Sequence, residues 1–297
     1  MEVFFNQLFV GLSIASILLL VALGLTFTFG QMNVINMAHG EFIMAGAYTT
    51  YVLQTAFGTG LITLSFGLAL PAAFLIAGTM GLILELLLIR RMYGRPLDTL
   101  LVTWGVSLML QQLARDIFGA PNVGVEGPSF LDGGITVAGV DMSYSRLFII
   151  GVVTLVVIAI AIYLQRTPAG RRMRAVMQNR PLAAVSGVRT PHVDRTTFFI
   201  GSGLAGIAGV GITLLGPIGP TLGLAYIIDA FLVVIVGGLG QLRGAIFAAL
   251  ALGMANSLIE YNTSTSIAKA GVFLLIVLFL QARPQGLIVQ QRRGLAS

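Results

Sequence analysis

Two stretches of this chain carry no charged residue, Val3 to Gly40 and Phe42 to Leu84, with Glu41 alone between them. Each is far longer than the ~20 apolar residues that cross a bilayer core of ~30 Å. Backbone amides cannot be left unpaired in lipid, so a spanning segment is a helix or part of a closed barrel. Barrel strands alternate over ~10 residues, and these runs do not alternate. The chain is therefore expected to be an all-α polytopic membrane protein. Composition agrees, at 57% hydrophobic and 9% charged over 297 residues, against roughly 25% charged in a soluble domain.

The charges that remain are unevenly placed. Arginines gather in "RRMYGRP" (Arg90–Pro96), in "RTPAGRRMRAVMQNRPLAAVSGVRTPHVDR" (Arg166–Arg195) and in the tail "RPQGLIVQQRRG". The middle cluster holds seven arginines and one acid, Asp194. Basic loops stay on the cytoplasmic side, which puts these three there. The acidic stretch 119–144, with Glu126, Asp132 and Asp141 and no basic residue, belongs outside. These anchors predict spans near 8–29, 37–57, 62–89, 97–118, 145–165, 196–217, 224–240, 243–260 and 267–282. That is about nine crossings, within a range of eight to ten, with the N-terminus outside and the C-terminus inside. The start "MEVFFNQLF" lacks the basic region of a cleaved signal, so the first run is expected to be a retained span. Residues 1–297 form a single transmembrane domain, with 166–195 as a cytoplasmic loop within it.

Several chemistries are excluded. The chain has no cysteine, hence no disulfide and no thiolate metal site. Its lysine, Lys269, follows Ala268, whereas a phosphate-binding loop needs Gly-Lys before Ser or Thr. Any ATP is then hydrolysed by a partner. Gly238, Gly240 and Gly244 are spaced one residue too far apart for a dinucleotide loop, and helix packing explains them. The same holds for Gly201, Ala205 and Gly209, which share one helical face where small residues let helices approach closely. His39 and His192 stand in no metal-ligand spacing, so no metal or other cofactor is expected on this chain. Nucleic acid is not an expected partner, because the basic excess marks topology.

Three features exceed a packing explanation. In the 166–195 loop, Thr167 followed by Pro168 reads as a helix start. "RPLAAVSG" reads as a second short helix that starts at Pro181 and stops at Gly187. Such a pair is a surface for docking another protein, through Ala183, Ala184 and Gly187. The second feature is Asp229, whose charge within a span costs at least ~2.5–3.5 kcal/mol and so should face protein or a polar path. The third is "NVINMAHGEF", where Asn33 or Asn36 is expected to cap the following helix and Glu41 to sit at its positive end. His39 has no part in that account. Asn33, Asn36, His39, Glu41 and Asp229 are the candidate path or gate residues, with the first four near the inner mouth. "INMAHGEFIMAGAYTTY" and "YIIDAFLVVIVGGLGQL" also echo each other weakly, each with an acid in a short glycine-containing span. That hints at an internal repeat, as in many transporters.

With these residues in view, "GLTFTFGQMNVINMAHGEFIMAGAYTTYVLQ", "QNRPLAAVSGV" and "RPQGL" together resemble the permeases of branched-chain amino-acid and urea ABC importers. The likeness runs over nearly the whole chain. It implies a second, similar permease, two cytoplasmic ATPases that hold ATP and Mg, and an extracytoplasmic solute-binding protein, all at a bacterial inner membrane. It also maps the ATPase-docking helix onto Pro181–Gly187, flanked by Arg180 and Arg189. Leu182 stands where the broader pattern has a glutamate, so no salt bridge forms from there. "DTLLVTWGVSLMLQQLARDIFGAPNVGV" and "YIIDAFLVVIVGGLGQLRGAIFAALALG" resemble the urea branch more closely. No arginine lies deep in the spans before the loop ends, Arg115 being near the outer face, which favours a neutral solute. Urea is therefore the expected cargo and a branched-chain amino acid the alternative. The rival of another class is an autonomous channel or ion-coupled carrier that uses Glu41 and Asp229.

Overall fold

The computed structural model describes residues 2–137 and 139–288. The tail arginines Arg292 and Arg293 therefore lie outside the described residues. The chain is mostly helical: α1 Glu2–Met32, α2 His39–Phe57, α3 Ile62–Leu87, α4 Pro96–Phe118, α5 Tyr144–Arg166, α6 Pro168–Gln178, α7 Arg180–Val185, α8 Thr190–Thr213, α9 Leu222–Gly237, α10 Leu242–Asn262 and α11 Thr265–Ala282. Within the acidic stretch, β1 Gly134–Val137 and β2 Val140–Ser143 form an antiparallel hairpin. It is tied to the start of α1, where the Asp141 amide donates to Asn6 Oδ1 at 2.8 Å.

Every predicted span has a helix. Six of the helices described (α1, α3, α5, α8, α10 and α11) are long and apolar enough to cross a bilayer by length and composition. The other three fall short for distinct reasons. Helix α9 has 16 residues, about 24 Å at ~1.5 Å per residue, so it is a partial span. Helices α2 and α4 are diluted by polar residues that point inward. On α4 the buried residues are Thr99, Thr103, Ser107, Gln111 and Ala114, while Leu101, Trp104, Leu108 and Leu113 are exposed. This helix is polar on its buried side and apolar on its exposed side, the reverse of a soluble amphipathic helix.

Helix α1 is the axis. Its 31 residues contain no proline, and Val21, Ala22, Leu23 and Leu25 are fully buried. It ends where Asn33 turns left-handed at φ 54 and donates its amide to the Phe29 carbonyl at 2.8 Å. Asparagine is among the few residues that tolerate this C-terminal conformation. Asn33 therefore closes α1 and does not cap α2. The N-cap of α2 is Ala38, with no side-chain bond, so Asn36 does not cap it either.

Residues 33–38 run without helix back into the bundle. Helix α2 consequently starts about halfway along its neighbours: His39 meets Val21 of α1, and Glu41 meets Ser107 and Gln111 of α4. Helix α9 starts at the same level from the other side, after the irregular run 214–221. Backbone meets backbone there, since a Cβ added to Gly40 would lie 2.7 Å from the Gly223 carbonyl oxygen.

This arrangement is an inverted repeat of α1–α4 and α8–α11. Helix α3 packs on α8 as α10 packs on α1, α2 on α8 as α9 on α1, and α2 on α3 as α9 on α10. The weaker pairs α2 with α4 and α9 with α11 also correspond. Helices α1 and α8 are antiparallel, with Gly24 against Gly201 at their crossing. Lipid gives helices no hydrophobic reason to associate, so such close approach supplies the packing.

Candidate functional site

The predicted path residues fall in three places. Asn36, His39 and Glu41 share one buried cluster at the start of α2. Each has no exposed surface, so they lie inside the bundle and not at the inner mouth. Ser107 Oγ donates to Glu41 Oε1 at 2.8 Å and Gln111 Nε2 to the same oxygen at 2.9 Å. Thr103 Oγ1 accepts the Met37 amide at 3.1 Å. His39 Nε2 donates to the Val21 carbonyl at 3.2 Å, which leaves Nδ1 as its acceptor. Three side chains here carry buried polar atoms with no partner in the protein: both amide atoms of Asn36, His39 Nδ1 and Glu41 Oε2. Each unmade bond costs about 1–3 kcal/mol.

Asn33 is apart from that cluster. It is exposed and lines a cavity of about 520 Å³ at the arginine-bearing end, with Gln31, Tyr93, Arg180 and Pro181. Asp229 is apart from both. It faces Lys269 of α11 at 3.8 Å, two turns into α9.

At the arginine-bearing end the two short helices form as the capping residues require. Thr167 Oγ1 accepts the Gly170 amide at 2.9 Å, and Asn179 Oδ1 accepts the Leu182 amide at 3.0 Å. Gly187, at φ 85, stops α7, with Val188 N donating to the Ala183 carbonyl at 3.0 Å. Of the predicted docking residues, Pro181, Ala184, Gly187 and Arg189 are exposed. Ala183 is not: it is buried and belongs to the core. Arg180 is also committed elsewhere. Its guanidinium donates to Asp194 Oδ1 at 2.9 Å and Oδ2 at 2.6 Å. The face that α7 presents is instead Leu182 and Val185, 60% and 83% exposed.

The Arg180–Asp194 pair is the hub of a larger network. Gln31 Nε2 donates to Asp194 Oδ1 at 2.7 Å, and Thr197 Oγ1 donates to Gln31 Oε1 at 2.8 Å. Arg180 also lies over the Tyr93 ring at 5.1 Å, and the Tyr93 hydroxyl donates to Glu85 Oε1 at 2.9 Å. The bond to Asp194 raises the Arg180 pKa, so the guanidinium stays charged. Burial raises the Tyr93 phenol, which keeps its proton and remains a donor. One bidentate contact thus joins α7 to α8, to the end of α1 and, through Tyr93, to α3.

With this geometry in place, comparison with known proteins shows the family. Residues 7–282 match the family described as "Branched-chain amino acid transport system / permease component". The chain belongs to that permease family. It is 30% identical to the LivH permease protein of the Escherichia coli high-affinity branched-chain amino acid transport system, over 96% of this chain and 95% of the relative. The Methanocaldococcus jannaschii LivH, a probable branched-chain amino acid transport permease protein, is also 30% identical, over 85% of this chain and 80% of its own length. The E. coli LivM permease protein is 24% identical over 94% of this chain and 69% of that relative. No solved structure matches the chain. The permease is thus a multi-pass membrane protein.

Sequence reasoning missed Thr103, Ser107 and Gln111, although their spacing of four in an apolar helix marks a polar stripe. It missed Tyr93 and Gln31, which nothing in the sequence singles out. Lys269 was legible, being a lone lysine within an apolar helix.

Proposed function

We propose that this permease is one of two membrane subunits of an ATP-driven importer, and that it carries an aliphatic amino acid by alternating access. The observation that carries this reading is α7, which presents Leu182 and Val185 outward while Arg180 roots it in α8, α1 and α3. A helix so rooted transmits force, where a floppy loop would not. Two cytoplasmic ATPases bind ATP and Mg and hold α7 in a groove through Pro181, Leu182, Ala184, Val185 and Gly187, with Arg189 beside them. A second permease completes the path, and an external binding protein delivers solute. The chain sits in a bacterial inner membrane with its N-terminus outside and its C-terminus inside, in nine crossings that count α2 and α9 as broken spans.

The named relatives support a branched-chain amino acid over urea. Lys269 also supplies a cation within a span, next to Asp229, which counts against a neutral cargo. Urea stays as the second reading because Asn36, Ser107 and Gln111 offer the neutral donors and acceptors a small amide needs.

The test is uptake into vesicles that contain the full complex with its binding protein. ATP-dependent leucine uptake, competed by isoleucine and valine but not by urea, is the expected result. Urea uptake that leucine does not inhibit would replace the amino acid reading with the urea one. Purification without ATPase subunits, with uptake that persists without ATP, would instead show an autonomous channel or carrier.

A further inference from the structure

We infer that the cavity between α1, α9, α10 and α11 is a binding site for a zwitterionic aliphatic amino acid, with Lys269 taking the carboxylate and Asp229 the ammonium. This rests on the transport reading above and names the groups that would recognise its cargo. The cavity has a volume of about 240 Å³, below the ~300–1,000 Å³ of sites for drug-sized ligands. That size suits a small metabolite.

Its walls differ in character. Ile14 and Leu18 of α1, Leu252 of α10 and Val272 of α11 form an apolar side. Asp229 and Tyr226 of α9, Asn256 of α10 and Lys269 of α11 form a polar side. An amino acid with a branched aliphatic side chain has the same division.

The ion pair is loose. Asp229 Oδ2 and Lys269 Nζ are 3.8 Å apart, too far for a hydrogen bond. The Ala225 carbonyl lies at the limit of reach, 3.5 Å from Nζ. Both side chains keep accessible surface, 31% and 48% respectively. A pair present only to neutralise two charges in an apolar bundle would be expected to close to contact. The neighbouring acid Glu260 is already engaged, by Thr265 Oγ1 at 2.5 Å and Asn256 Nδ2 at 3.3 Å, so it does not compete for Lys269.

Charge balance then gives specificity. A zwitterion inserted between Asp229 and Lys269 replaces one ion pair with two and leaves no charge unmatched. An amine without a carboxylate would leave Lys269 unpaired, and a carboxylate without an amine would leave Asp229 unpaired. Removing one partner of a desolvated pair is much costlier than exchanging both. Asp229 also belongs to α9, the broken helix whose start meets α2 at Gly40. Movement of that junction would carry one wall of the cavity with it.

The experiment is equilibrium binding of labelled leucine to the purified complex in nanodiscs, without the binding protein. The wild type should bind leucine saturably. 3-Methylbutylamine and 4-methylpentanoate, which lack the carboxylate and the amine, should compete at least tenfold more weakly. Lys269→Gln should weaken leucine at least tenfold yet strengthen the amine, which no longer strands a lysine, and Asp229→Asn should likewise weaken leucine and strengthen the acid. No leucine binding by the wild type, or equal competition by both analogues, overturns the site without recourse to a mutant. Full leucine binding by the double variant Asp229→Asn with Lys269→Gln also overturns it, since the pair would then be structural. Wild-type ATP-driven uptake with the binding protein tests the transport reading separately.

Discussion

Glu41 shows how burial changes the meaning of a side chain. In sequence it is an acid near a helix start, where the dipole stabilises it. In the fold it is fully buried and one oxygen accepts from both Ser107 and Gln111. Gln111→Leu removes one of these donors and fills its place with an apolar group. We expect a loss of about 1–3 kcal/mol, read as a lower unfolding temperature of the purified complex. An unchanged unfolding temperature would mean that Gln111 does not hold the carboxyl. Arg180 is the second residue whose role the fold reassigns. Its side chain is 33% exposed while Asp194 has no exposed side-chain surface. Arg180→Ala therefore leaves a buried carboxylate without its cation and with Gln31 as its side-chain donor, at about 2 kcal/mol once solvent access to the arginine is allowed for. Uptake should fall at least tenfold while ATP hydrolysis by the complex continues. Arg180→Lys retains charge but not the two-pronged geometry, so it should restore only part of the coupling. Uptake and hydrolysis that fall in parallel would argue against a coupling role.

Among the elements, α7 carries the clearest prediction. Its capping was legible, because Asn179, Pro181 and Gly187 are strong punctuation for a short helix. Its orientation was not, because six residues have too little periodicity to show which face is buried. Of the small residues expected to form the docking surface, the fold buries Ala183 and leaves Ala184 and Gly187 exposed. Val185→Arg should abolish uptake while the protein still reaches the membrane, because a charge would sit where an apolar contact is proposed. Ala183→Leu should act differently, lowering stability by about 1–3 kcal/mol through overpacking. Normal ATP-coupled uptake by Val185→Arg would exclude this face. Helix α4 makes the complementary point: Thr99, Thr103, Ser107 and Gln111 lower its hydropathy because they serve the interior of the bundle.

For the whole molecule the inverted repeat is the organising fact. It places two broken helices head to head, so that polar backbone at mid-bundle is surrounded by protein, the condition under which irregular backbone is tolerated in a membrane. The absence of cysteine from the sequence makes the architecture easy to probe. Ser257 of α10 donates to the Gln7 side-chain oxygen of α1 at 2.9 Å. Gln7→Cys with Ser257→Cys should therefore cross-link on mild oxidation in membranes, detected as a mobility shift that reductant reverses. No cross-link in a transport-competent double variant would contradict the α1–α10 packing on which the repeat depends.

The sequence by itself determined the solvent and most of the elements. Uninterrupted apolar length admits no other fold class, and Pro, Gly and capping residues set helix ends through local sterics and hydrogen bonds. The lack of a phosphate-binding loop likewise followed from the sequence around its lysine. Tertiary structure alone decided which polar groups meet. Asn33 closes one helix where it was expected to open the next, because a left-handed turn satisfies the last carbonyls of α1. Glu41 finds α4, Asp229 finds Lys269 and Arg180 finds Asp194, across separations that no local pattern encodes. Local rules govern neighbours along the chain; Glu41 and Asp194 are held because a buried charge is stable only beside a partner, and packing selects which partner comes within reach.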